Sequence, residues 1–99
     1  MNVGVLRFSL RIAESGSLKD KRQVVRSVMQ RLRNRFQVAV AEVDDNDAWQ
    51  IATIGVACVA NTAHHCEDVL NEVLAFIEET RLDAEVMNVE MDVMAFGED

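Results

Sequence analysis

The stretch FQVAVAEVDDNDAWQIATIGVACVA, residues 36–60, decides the fold. It contains two runs of strand character, 36–43 and 49–60, separated by Asp44-Asp45-Asn46-Asp47. Asp and Asn hydrogen-bond to their own backbone in turns, so these four residues read as the tip of a hairpin. In the second run Ala52, Ile54, Val56, Cys58 and Ala60 fall on one face and Trp49, Ile51 and Thr53 on the other. That is the period of two expected of a strand with one side in a core.

Working outward, each side of the hairpin carries a helix and then a strand. Ser17 is placed to cap a helix from Leu18, with Asp20 in its first turn. Leu18, Val24, Val25, Val28, Met29, Leu32 and Phe36 form the apolar stripe of that helix at 100° per residue. Before it, residues 2–12 alternate, with Leu6, Phe8, Leu10 and Ile12 on one face and Arg7, Ser9 and Arg11 on the other. After the hairpin, Asn61 or Thr62 caps a second helix over 62–80, with Cys66, Val69, Leu70, Val73, Leu74 and Ile77 inward. Residues 84–96 are the last strand, with Met87, Val89, Met91, Val93 and Ala95 inward and Asn88, Glu90 and Asp92 outward.

The order β-α-β-β-α-β predicts an α+β, ferredoxin-like sandwich in one domain, 1–99, with two helices on one face of a four-stranded antiparallel sheet. The last strand then lies beside the first, so Arg7 and Arg11 should neighbour Glu90 and Asp92. Two cysteines are too few for a disulfide framework. No apolar run approaches the roughly 20 residues that span a bilayer, and the N-terminal stretch lacks the features of a signal peptide. The expectation is a cytoplasmic protein with reduced thiols and no membrane partner.

Catalytic and metal motifs fail on spacing. His64, His65 and Cys66 are consecutive and diverge by about 100° per step on a helix, so they cannot converge on one ion. The acidic hairpin tip begins like a calcium loop, but Trp49 and Gly55 occupy the sixth and twelfth positions, where glycine and glutamate are needed. Cys58 and Cys66 lack C-x-x-C spacing. No nucleophile–base pair or phosphate loop appears, and the expectation is a protein that is not an enzyme and needs no cofactor or metal.

The charge distribution is more informative. Net charge is −7, yet residues 1–35 carry nine basic and two acidic side chains, and residues 36–99 one basic and fifteen acidic. On the first helix Lys19, Arg22, Arg26 and Arg33 project as one ridge, with Lys21, Arg31 and Arg35 on the flanks. Two readings compete: the ridge meets an external anion, or the acids of the second helix (Glu67, Asp68, Glu72, Glu78 and Glu79) neutralise it. Trp49 and Ile51 would form an exposed apolar patch if they face outward, which would suit a subunit contact.

The pieces Ser17-Leu18-Lys19-Asp20-Lys21-Arg22, Arg35-Phe36, Ala41-Glu42-Val43 and Trp49-Gln50 with Ala52-Thr53-Ile54-Gly55-Val56 resemble the bacterial YlxP-like proteins, domain-of-unknown-function family 503. The resemblance runs over nearly the whole chain. It implies the ferredoxin-like fold and small cytosolic proteins, often encoded near translation and ribosome-maturation factors, and it names no activity. Many members have a histidine near the first strand-to-helix turn, where this chain has Glu14 and Ser15. The functional expectation is a module binding RNA or a ribonucleoprotein through the basic ridge. The alternative is an oligomeric or protein-interaction module using the open sheet face or edge, including a homo-oligomer.

Overall fold

The computed structural model describes residues 1–81 and 83–97. Its elements run β1 (Asn2–Arg11), α1 (Leu18–Arg35), β2 (Ala39–Asp44), β3 (Ile51–Ala60), α2 (Ala63–Thr80) and β4 (Glu85–Ala95). The sheet order is β2-β3-β1-β4, antiparallel throughout. This is the ferredoxin-like arrangement the hairpin predicts.

The inward faces of β1 and β3 match the alternation read from sequence. Leu6, Phe8, Leu10 and Ile12 are buried, as are Ala52, Ile54, Val56 and Cys58. Both helices lie over this face, α1 above β2 and β3, and α2 above β1, β3 and β4. They supply Val25, Val28 and Leu32, and Cys66, Leu70, Val73 and Ile77, to the core. Gly4 permits the close approach of α2 to β1. A Cβ there would sit 3.0 Å from both Cys66 Cβ and Leu70 Cδ1.

Some boundaries differ from the sequence reading. Phe36 caps α1, donating its N–H to the Leu32 carbonyl, instead of opening β2. Trp49 and Gln50 belong to the hairpin loop; of the two residues offered as the cap of α2, it is Thr62 that caps it, accepting from His65 N–H. The larger correction is in β4. Arg7 pairs with Glu90 but Ser9 pairs with Met87, so Asn88 and Val89 together oppose Phe8. Asn88 takes φ +53°, a conformation Asn tolerates better than most residues, and forms a β-bulge. One inserted residue flips every side chain on one side of it. Met91 and Val93 pack on the core as expected, but Val86 takes the inward place beyond the bulge. Met87 moves to the open face opposite Ser9, and Val89 is exposed.

Candidate functional site

The first turn of α1 is tied down by its own loop. Ser17 Oγ accepts from Asp20 N–H at 3.1 Å, Asp20 Oδ2 accepts from Gly16 N–H at 3.2 Å, and Ser15 Oγ donates to the Ser17 carbonyl at 3.0 Å. The cap satisfies backbone donors that a helix start leaves open. It also occupies Asp20, the one acidic residue on α1. Lys19, Arg22, Arg26 and Arg31 are exposed, and among the described residues none of them has a hydrogen-bonding or ion-pairing partner. No ion pair among the described residues joins α1 to the acids of α2; Asp68 instead lies 3.4 Å from His64 on its own helix.

The other three basic candidates have structural duties. Lys21 is the main correction. Its side chain is fully buried, and its Nζ donates to Glu42 Oε2 at 3.0 Å, to the carbonyls of Asp45 at 2.8 Å and Asn46 at 3.0 Å, and more weakly to that of Ile51 at 3.4 Å. It is therefore not a flank of the surface ridge. The ammonium holds the hairpin tip against α1, which satisfies a buried charge and three carbonyls together. With Lys19 at 0°, Lys21 projects at about 200°, between Val28 at about 180° and Leu32 at about 220°, so the helical period already placed it in the apolar stripe. Arg33 is exposed but its Nη2 donates to the Val40 carbonyl at 2.8 Å, on edge strand β2. Arg35 stacks over Phe76, 5.0 Å from the ring centre, and over Phe36 at 5.9 Å. These two rings meet edge to face, 5.8 Å apart, where the C-cap of α1 meets α2.

On the opposite side of the sheet Arg7 lies 3.3 Å from Asp44 and 3.8 Å from Glu90, as the topology predicts for Glu90. Arg11 lies 3.9 Å from Glu85, not beside Asp92, because Arg11 is ten residues along β1 and the antiparallel register brings the start of β4 to it. Beside the Arg7 cluster runs a shallow groove of about 620 Å³. Val5, Ala39, Ala41, Val43, Gly55 and Ala57 line it, with Arg7, Glu90 and Asp92 along one bank. Val43 is the extra residue of a second bulge, since Glu42 pairs with Ile54 and Asp44 with Thr53. Gly55 leaves room for it: a Cβ there would come within 2.9 Å of Val43 Cγ1. Toward the hairpin end, Ser9 and Thr53 share a 3.1 Å hydrogen bond, and Thr53 Oγ1 donates to Asp45 Oδ2 at 2.6 Å. Both are buried although they are on the open face.

Sequence reasoning named Trp49 and Ile51 for a contact, and they are 57% and 37% exposed. It missed the groove. The signal was the run 38–43 leading into β2, apolar at Val38 and Val40 on one face and at Ala39, Ala41 and Val43 on the other, where a half-solvated strand alternates with polar residues. The cysteines are core residues. Burial, and then the hydrogen bond with Cys66, push the Cys58 thiol above its ordinary value, which leaves it protonated and unreactive at neutral pH. No helix among the described residues is long and apolar enough to cross a membrane.

Comparison with known proteins agrees with the fold. A de novo designed protein with ferredoxin fold, solved by solution NMR, superposes with a TM-score of 0.61 over 97% of this chain and 88% of its own, at 12% identity, which speaks to fold alone. The uncharacterized protein YlxP of Bacillus subtilis (strain 168) is 36% identical over 76 residues, covering 77% of this chain and 83% of that protein. The family described as "Protein of unknown function (DUF503)" matches residues 3–91, with β1, α1, the hairpin, α2 and most of β4 inside that span, and the chain therefore belongs to the DUF503 family.

Proposed function

We propose that this protein is a non-enzymatic binding module for RNA or a ribonucleoprotein, holding phosphates with Lys19, Arg22 and Arg26. The observation that supports this is a row of three exposed cations, at i, i+3 and i+7 on one helix, without an acidic partner among the described residues in a chain with seventeen acids. Lys21 is excluded from the contact by its burial, Arg33 stands beside it with its own partner, and Arg31 and Arg35 sit apart on the other flank, Arg35 over Phe76. Phosphate contacts give position and affinity but little base specificity. The net charge of −7 opposes loose attachment to a polyanion at long range. The ridge therefore acts at contact distance, within a Debye length of about 8 Å at physiological salt. The proposal sets the protein in the cytoplasm, where Cys58 and Cys66 stay as thiols. Filter binding of a structured RNA tests it: Arg22→Glu with Arg26→Glu should abolish retention, and unchanged affinity would remove the ridge from consideration.

A second reading has its own support. Val5, Val43, Trp49, Ile51, Val59 and Met94 are large, apolar and exposed, which suits an oligomeric or protein-interaction module built on the open sheet face.

A further inference from the structure

We infer that a second copy of this chain covers the open sheet face, in a two-fold dimer whose centre is the groove over Ala41, Gly55 and Ala57; this rests on the second reading above, that the face is a protein contact. The sheet edges are poor places for that contact. Arg33 occupies a carbonyl of edge strand β2, and the bulge at Asn88–Val89 breaks edge strand β4. Both devices are ways of blunting an edge against strand addition. The face, by contrast, is built to be approached. Its centre is floored with alanine and glycine, which let a facing backbone or side chain come close, and Val5 and Val43 stand around that floor.

The face supplies most of the area that a copy needs. Three strands of ten or eleven residues and the six-residue β2, about 4.8 Å apart at about 3.3 Å per residue, give a face of roughly 600 Å² before its rim is counted. A stable interface needs about 800 Å² per partner. The chain also exposes 6078 Å², about 400 Å² more than a compact monomer of its mass. Its radius of gyration is 13.9 Å, where a chain of this length averages about 12.6 Å.

The charges point away from an anionic partner. Arg7 is already bridged to Asp44 and Glu90, and Arg11 to Glu85. A face whose basic groups are spent on its own acids, with Asp92 beside them, offers little to a polyanion. Its centre over Ala41, Gly55 and Ala57 is uncharged and can meet its own image there, with Asp92, which has no ion pair among the described residues, kept to the bank of the groove.

Sedimentation velocity from low to high micromolar concentration tests this. The wild type should reach twice 11.1 kDa. Ala41→Glu and Val5→Glu, both at exposed positions, should weaken the dimer about 100-fold or more, because each places two carboxylates in the contact. Circular dichroism establishes that the variants fold. Concentration-dependent NMR shifts of the wild type at Val5, Ala41, Val43, Gly55 and Ala57 map the contact without any variant. A wild-type monomer at every concentration overturns the inference while leaving the face open to a foreign protein. A dimer whose shifts lie elsewhere, or that both variants leave intact, likewise overturns the inference and leaves the face to a foreign protein.

Discussion

Replacing Lys21 with Met keeps most of the side chain's volume and removes its ammonium. Four acceptors then lose their donor: the carboxylate of Glu42, only 14% exposed, and the carbonyls of Asp45, Asn46 and Ile51. Breaking a buried ion pair by removing one partner costs about 3–5 kcal/mol, mostly through the charge left behind. Each kcal/mol lowers the melting temperature of a domain this size by about 4–8 °C, so a drop of at least about 12 °C is expected. Adding Glu42→Leu removes the stranded carboxylate and should recover part of the loss, but not all, because the three carbonyls still lack a donor. Urea unfolding followed by circular dichroism measures both variants. A loss below about 1 kcal/mol in Lys21→Met would refute the buried-clamp reasoning, since that is the scale of an exposed pair. Chemical acetylation gives an independent check, because Lys19 and Lys21 are the only lysines. Lys19 should react in the native protein and Lys21 only after unfolding.

Gly4→Ala should destabilise the protein by about 1–3 kcal/mol in the same urea assay, because the new methyl is 3.0 Å from atoms of α2 that are themselves close-packed. Neither cysteine should react with a thiol reagent in the native protein at pH 8, and both should react in denaturant. The Cys58 thiol has its folded value raised above 9.0, so above about pH 9 the unfolded chain ionises first and stability falls with rising pH. Cys58→Ala should reduce that loss between pH 8 and pH 10, read from urea midpoints.

The layout of the fold was legible because its signals were local: a turn-rich gap between two alternating runs, two helical stripes, and a capping serine. What was not legible depended on contacts between distant segments. The β4 bulge turns on one Asn taking a left-handed conformation, which no period-two pattern announces, and it reverses the faces of Val86 and Met87. Lys21 was misplaced for a different reason. A basic residue in an apolar stripe reads as a surface group until the acceptors that accommodate it are known, and those come from Glu42 and the hairpin carbonyls, 21 to 30 residues away. The question of whether α2 neutralises the ridge likewise needed geometry, since composition alone allowed it.

The salt dependence of RNA binding tests the central claim most directly. With Lys19, Arg22 and Arg26 as three phosphate contacts, log K should fall against log salt with a slope of about −2 to −3. Arg22→Glu should bring that slope toward zero. Lys21→Met, studied under conditions where it remains folded, should leave the slope as it is. A slope near zero for the wild type, or one that Lys21→Met flattens and Arg22→Glu does not, would contradict the account.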